Sequence, residues 1–197
     1  MNNSERKQSR VRLFRTLIYD VECPELIDEV VDEFNKCKWV DEWVNVNDNC
    51  FTLNSNKNLV KKFEDIVNET LSEIQYTVPL KVSTSWFTRT IDGAMGKNHI
   101  HVNSFWSAVF YFQDNNSNLV VVKDPPQIHV PWKTEDFGLI ASGDIALKAD
   151  KGHMILIPGD LRHYIQQNLK GEDRNSLAIN FMPNGLCFAE DSSYNYK

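Results

Sequence analysis

The run His99-Ile100-His101-Val102-Asn103-Ser104-Phe105-Trp106-Ser107-Ala108-Val109-Phe110-Tyr111-Phe112 is rich in β-branched, aromatic and small residues. It reads as an extended strand from His101 to Phe112. Side chains at i and i+2 of a strand share a face, so His99 and His101 both address one point in a pocket. That is how two metal ligands look in sequence. Phe105, Ser107, Val109, Tyr111 and Gln113 have the same parity, which turns Tyr111 toward the same interior. Trp106 has the opposite parity and reads as core.

Similar short strands surround this one. Leu80 to Thr90, Asn118 to Val122, Asp144 to Leu147, Met154 to Ile157 and Asn175 to Phe181 are separated by turn signals such as Asp92-Gly93, Pro158-Gly159 and Asn184-Gly185. Many short strands with such punctuation predict a sandwich or barrel. The first part differs. Val11 to Val21 reads as a strand, but Leu26, Ile27, Val30, Val31 and Phe34 recur at helical spacing, as do Leu59, Phe63, Ile66, Val67, Leu71 and Ile74. These are two amphipathic helices whose stripes lie on a sheet. Lys38 to Asn56 reads as irregular with one short turn of helix, and Asp191 to Lys197 as a polar tail. The fold class is thus α+β and mainly β. The chain reads as a single domain over 1–197, with a mostly helical region at 1–78 and a strand-built core at 79–190.

With 197 residues, 42% hydrophobic and 24% charged, the chain has enough material for a packed core. A net charge of −6 argues against broad binding to nucleic acid. No apolar run is long enough to span a bilayer, and Met1 to Arg10 lacks the core of a secretory signal. A cytoplasmic location is the natural reading. Cys23, Cys37, Cys50 and Cys187 are scattered and read as reduced thiols.

His163 follows His101 by 62 residues, so folding must bring it to the pair. Three imidazoles on one face of a metal leave positions open for other ligands. Arg174 comes 11 residues later and opens a strand on which Arg174, Ser176, Ala178 and Asn180 share one face. A buried arginine requires an anionic partner. A carboxylate ligand, with Ser176 as second donor, supplies one, and so does a structural Asp or Glu.

Here the chain resembles a family of 2-oxoglutarate/Fe(II) oxygenases. The histidine run is similar to that family's His-x-His-Pro-Asn-Ser strand. Asn118-Leu119-Val120-Val121-Val122-Lys123-Asp124-Pro125 resembles its next strand and Asp-Pro turn. Gly152-His153-Met154-Ile155-Leu156-Ile157-Pro158, followed by His163, is similar to its Gly-x-x-x-x-Phe-Pro segment and distal histidine. Arg174-Asn175-Ser176-Leu177-Ala178-Ile179-Asn180-Phe181 resembles its Arg-x-Ser-x-x-x-Asn ending. The resemblance covers about Trp86 to Asn184, with every motif in order.

The resemblance implies a double-stranded β-helix, or jelly roll, with the N-terminal helices packed on it. It also implies Fe(II) and 2-oxoglutarate as cofactors, and hydroxylation of a protein side chain or small molecule with release of succinate and CO2. Iron would lie on His99, His101 and His163, while Arg174, Ser176 and Tyr111 would take the co-substrate. Asn103 and Asn180 would support them from a second layer. His101 stands where the family usually carries a carboxylate, so Asp124 or Asp160 remains an alternative ligand. Two rival readings stay open: a three-histidine cupin-like dioxygenase without 2-oxoglutarate, and a metal-free jelly-roll binding module. No membrane partner is expected, and a homodimer is compatible with the sequence.

Overall fold

The computed structural model describes residues 16–40, 45–114, 117–123, 143–169, 171–187 and 193–196. In chain order its strands are β1 (Tyr19–Glu22), β2 (Asn45–Val46), β3 (Leu80–Thr90), β4 (Trp106–Phe110), β5 (Leu119–Lys123) and β6 (Gly143–Leu147). They continue with β7 (His153–Pro158), β8 (His163–Ile165), β9 (Arg174–Pro183), β10 (Gly185–Cys187) and β11 (Tyr194–Tyr196). Helices α1 (Ile27–Phe34) and α2 (Lys57–Thr70) lie between β1 and β3 in sequence. One sheet has the order β1-β7-β4-β9-β3-β2, a second the order β6-β5-β8, and β10 pairs with β11. All these pairings are antiparallel. The fold is a double-stranded β-helix, mainly β, with its helices on one sheet.

Two apolar clusters flank the larger sheet. On the helical side, Val30, Leu59, Phe63 and Val67 pack with Phe87, Phe110, Leu156, Leu177, Ile179 and Phe181. Within the roll, Val109, Tyr111, Ile155 and Ile157 of the large sheet meet Leu119 and Val121 of the small one. Alternation along β4 and β9 thus sends apolar side chains outward to the helices and leaves the inner face for the site. Helix α2 starts where Asn56 Oδ1 accepts the Leu59 N–H at 3.0 Å. Its fully buried Leu59, Phe63 and Val67 each contribute about 1.5–3 kcal/mol of gross burial.

A bulge in β3 decides which of its residues reach the interior. Its register against β9 shifts between Val82 and Thr84. Leu80 and Val82 face the helices, and after the shift Ser85 and Phe87 do so. Thr84, Trp86, Thr88 and Thr90 therefore pair with Asn180, Ala178, Ser176 and Arg174 on the inner face. Buried Glu64 of α2 grips the irregularity: its carboxylate accepts the Val82 N–H at 3.1 Å and pairs with Lys81 at 2.7 Å.

Several expectations are corrected. The strand foreseen from His101 to Phe112 is interrupted by a turn at Val102-Asn103 and joins the sheet only at Trp106. Ser104 N–H closes that turn on the His101 carbonyl at 3.2 Å. Lys38 to Asn56 holds the expected short helical turn at Thr52–Ser55, but β2 within it also adds an edge to β3. The polar tail holds a strand, with Tyr194 to Tyr196 pairing back on Cys187 to Gly185. The Val11 to Val21 strand is seen only from Tyr19 onward, Val11 to Arg15 lying outside the described residues.

Candidate metal and co-substrate site

Backbone pairing rather than one strand assembles the histidines. His99 and His163 exchange N–H to carbonyl bonds, each at 2.9 Å, in an isolated antiparallel bridge. His101 N–H donates to the Gly159 carbonyl at 2.8 Å, and Gly159 N–H to the Phe105 carbonyl at 3.1 Å. Only glycine allows this approach: a Cβ on Gly159 would stand 2.0 Å from the Ser104 oxygen. The result is one ligand atom from each of His99, His101 and His163, all within 4.8 Å of one another. His101 and His163 approach Nε2 to Nε2 at 3.2 Å.

The other ring nitrogens settle the chemistry of the cluster. His99 Nδ1 meets the Lys97 carbonyl at 2.7 Å, His163 Nδ1 the Leu161 carbonyl at 2.8 Å, and His101 Nδ1 the Asn180 Oδ1 at 2.6 Å. Each partner is an acceptor, so each Nδ1 carries a proton, the tautomer that in a neutral ring leaves the lone pair on Nε2. The Asn180 amide is itself oriented: its Nδ2 donates to Thr84 Oγ1 at 3.0 Å, and its Oδ1 also accepts from Ser107 Oγ at 2.9 Å. Burial pushes the His163 pKa down to about 4 and lowers that of His101, so both rings are neutral at pH 7. Trp86 stacks on His101 with ring centroids 5.5 Å apart.

Arg174 lies along β9 on the same inner face. It is 2% exposed, yet among the described residues no carboxylate pairs with it. Its Nε donates to the Ser117 carbonyl and its Nη1 to Ser176 Oγ, both at 3.1 Å. Ser176 Oγ is in turn 2.8 Å from Thr88 Oγ1. The guanidinium carbon sits 5.2 Å from the Tyr111 ring centroid. Arg174 Nη2 and Ser117 Oγ are buried without a hydrogen-bond partner among the described residues, and buried Tyr111 Oη has only the Arg174 guanidinium near it, outside good hydrogen-bond geometry. Burial lowers the arginine pKa and raises that of the phenol, while their mutual attraction opposes both changes. Orphaned donors around a buried cation fit an anion with several acceptor oxygens.

The predicted residues thus fall into two groups, histidines with Asn180 and Arg174 with Ser176 and Tyr111. Asn103 is instead exposed on the turn after His101, and Asn180 supplies the amide. Asp160 is exposed on the turn after β7, and no carboxylate joins the histidine cluster among the described residues. Asp124 lies outside them. Thr84, Thr88 and Ser117 were missed. Alternating polar residues along β3 signal the two threonines, but the bulge hides their facing; nothing local marks Ser117.

The family model described as "Putative 2OG-Fe(II) oxygenase" matches residues 84–180, the span of both groups. By that match, residues 84–180 belong to the 2-oxoglutarate/Fe(II) oxygenase family. This oxygenase resembles HygX from Streptomyces hygroscopicus, crystallised with nickel, 2-oxoglutarate and hygromycin B. The likeness has 13% identity and a TM-score of 0.58, and covers 85% of this chain and 83% of that one. The epimerase SnoN from nogalamycin biosynthesis is similar at 10% identity and a TM-score of 0.62, over 85% and 78% of the two chains. A Pseudomonas putida prolyl-4-hydroxylase is similar at 11% identity and a TM-score of 0.55, over 85% and 93%. Such low identities speak for the shared fold. No curated protein matches the sequence. The oxygenase is an oxidoreductase of the 2-oxoglutarate-dependent class, and its three-histidine group fits iron. Among the described residues no helix is long and apolar enough to cross a membrane.

Proposed function

We propose that the chain is a three-histidine Fe(II)/2-oxoglutarate-dependent dioxygenase that hydroxylates a small molecule or protein side chain, releasing succinate and CO2. Buried Arg174, without a carboxylate partner among the described residues and with its Nη2 unsatisfied there, is the observation that carries this reading. It favours an anionic co-substrate over the cupin-like alternative. Three Nδ1–H groups committed to acceptors, in rings that bring one ligand nitrogen each within 4.8 Å of the others, favour a metal over a binding module.

In this mechanism His99, His101 and His163 would hold the iron, and Asn180 keeps His101 in the ligating tautomer. The iron and its 2-oxoglutarate supply the oxygen-activating, decarboxylating chemistry. Arg174 binds the distal carboxylate, with Tyr111 and Ser117 as further donors, while Ser176 and Thr88 fix the guanidinium edge. Asn180 lies six residue steps along β9 from Arg174, about 20 Å at strand rise. Ala178 keeps the intervening inner face open. Val109, Val121, Ile155 and Ile157 exclude water from the roll. The same reading treats residues 1–197 as one oxygenase domain working in the cytoplasm, alone or as a homodimer.

The test is succinate formation by purified protein with Fe(II) and 2-oxoglutarate. His163→Ala and Arg174→Ala are each expected to abolish it. Turnover untouched by both substitutions refutes the assignment.

A further inference from the structure

Beyond the histidines, the inner face continues past Trp86 to the edge of the large sheet. Val46 pairs with Thr88 there, and so lies on the face shared by Thr88 and Trp86. Val46, Asn47, Cys50 and Trp86 line a cavity of about 340 Å³. It sits at the lower end of ligand-cavity volumes, which suits one compact group rather than an extended chain.

Its chemistry is readable from its walls. Val46 offers carbon, Cys50 an exposed thiol, and Trp86 an indole. Asn47 is the polar member, but its amide is spent: Nδ2 on the Asn49 carbonyl and Thr52 Oγ1, Oδ1 on the Phe87 N–H. No charged side chain lines the cavity among the described residues. Such walls offer a charge no partner, whereas a flat apolar group gains from stacking on indole. Because Trp86 also stacks on His101, a group in this cavity lies one ring away from a ligand imidazole.

We propose that the Val46, Cys50 and Trp86 cavity is the substrate subsite, and that it takes an uncharged, apolar, ring-like group. Trp86 is then a specificity-determining residue. The inference rests on the histidine cluster being the metal site.

The test uses the whole chain loaded with Co(II), with indole as probe and benzoate as its charged counterpart. Cys50 alkylation by N-ethylmaleimide is followed by peptide mass spectrometry, with Cys187 as internal reference. Indole at about four times its dissociation constant is expected to slow Cys50 about fivefold and to leave Cys187 unchanged, with benzoate without effect. It should also shift the visible Co(II) bands, since Trp86 touches His101. Trp86→Phe keeps the protection; Trp86→Ala and Val46→Asp each remove it.

An unchanged Cys50 rate in wild type, equal protection by benzoate, or protection undiminished in both Trp86→Ala and Val46→Asp overturns the subsite. Protection without any movement of the Co(II) bands overturns its link to the metal. Absence of Co(II) bands altogether refutes the metal reading instead, and is seen before any probe is added.

Discussion

Replacing Asn180 with leucine should uncouple metal affinity from the fold. The Asn180 amide makes three side-chain bonds, and two are dispensable. Ser107 has a second partner in Ser104 Oγ at 3.0 Å, and the half-buried Thr84 hydroxyl can turn to water. His101 Nδ1–H, held at 2.6 Å, is left without an acceptor. One unsatisfied buried donor costs about 1–3 kcal/mol of stability in the metal-free protein. Freed of its orienting bond, the ring also loses its ligating pose, and loss of such outer partners typically weakens metal binding about 10- to 100-fold. Urea unfolding measures the first effect, and chelator-competition titration with Co(II) the second. Asn180→Asp retains an acceptor and adds a negative charge, so it should bind Co(II) at least as tightly as wild type. A folded Asn180→Leu protein with Co(II) affinity within about twofold of wild type would refute the orienting role.

Arg174→Met removes a buried charge that has no carboxylate partner among the described residues, so the metal-free protein should lose no more than about 1 kcal/mol. It should also lose any thermal stabilisation by 2-oxoglutarate; a loss in urea unfolding above about 3 kcal/mol would mean that an anion already balances the arginine. Gly159→Ala forces a methyl against the Ser104 oxygen and should cost roughly 1–3 kcal/mol or more by urea unfolding, together with Co(II) binding. Wild-type values for both would contradict the close approach. For pH, His163 titrates at about 4 when folded, below its ordinary 6.5. The unfolded chain therefore takes up the proton first, so stability present above pH 6.5 is lost as pH falls toward about 4, by roughly 3 kcal/mol in the metal-free protein. Urea midpoints from pH 7 to 4 check this, and His163→Gln should flatten that limb.

Much of the site was legible because it follows from side-chain type and strand period. Arg174, Ser176 and Asn180 share a face by alternation, and they share it in the fold. Ser107, Val109 and Tyr111 keep the inward parity assigned to them, although the turn at Val102-Asn103 leaves Phe105 exposed. The short strands β2, β8 and β11 were not legible. Each is three residues or fewer; β2 and β8 exist through partner strands distant in sequence, which local propensity does not encode, and β11 is held by the equally short β10.

Local pattern by itself thus determined the mainly β class, the two helical stripes, and the inward face of the strand that carries Arg174. Tertiary structure alone decided three things. It brought His163 against His99 through a bridge between segments far apart in sequence. It set Asn180, not Asn103, on the His101 ring. Through the Glu64-held bulge it also turned Thr84, Trp86 and Thr88 toward the site. The physical reason is common to all three: a period of two states which residues share a face, but the register against a distant partner states which face is inside.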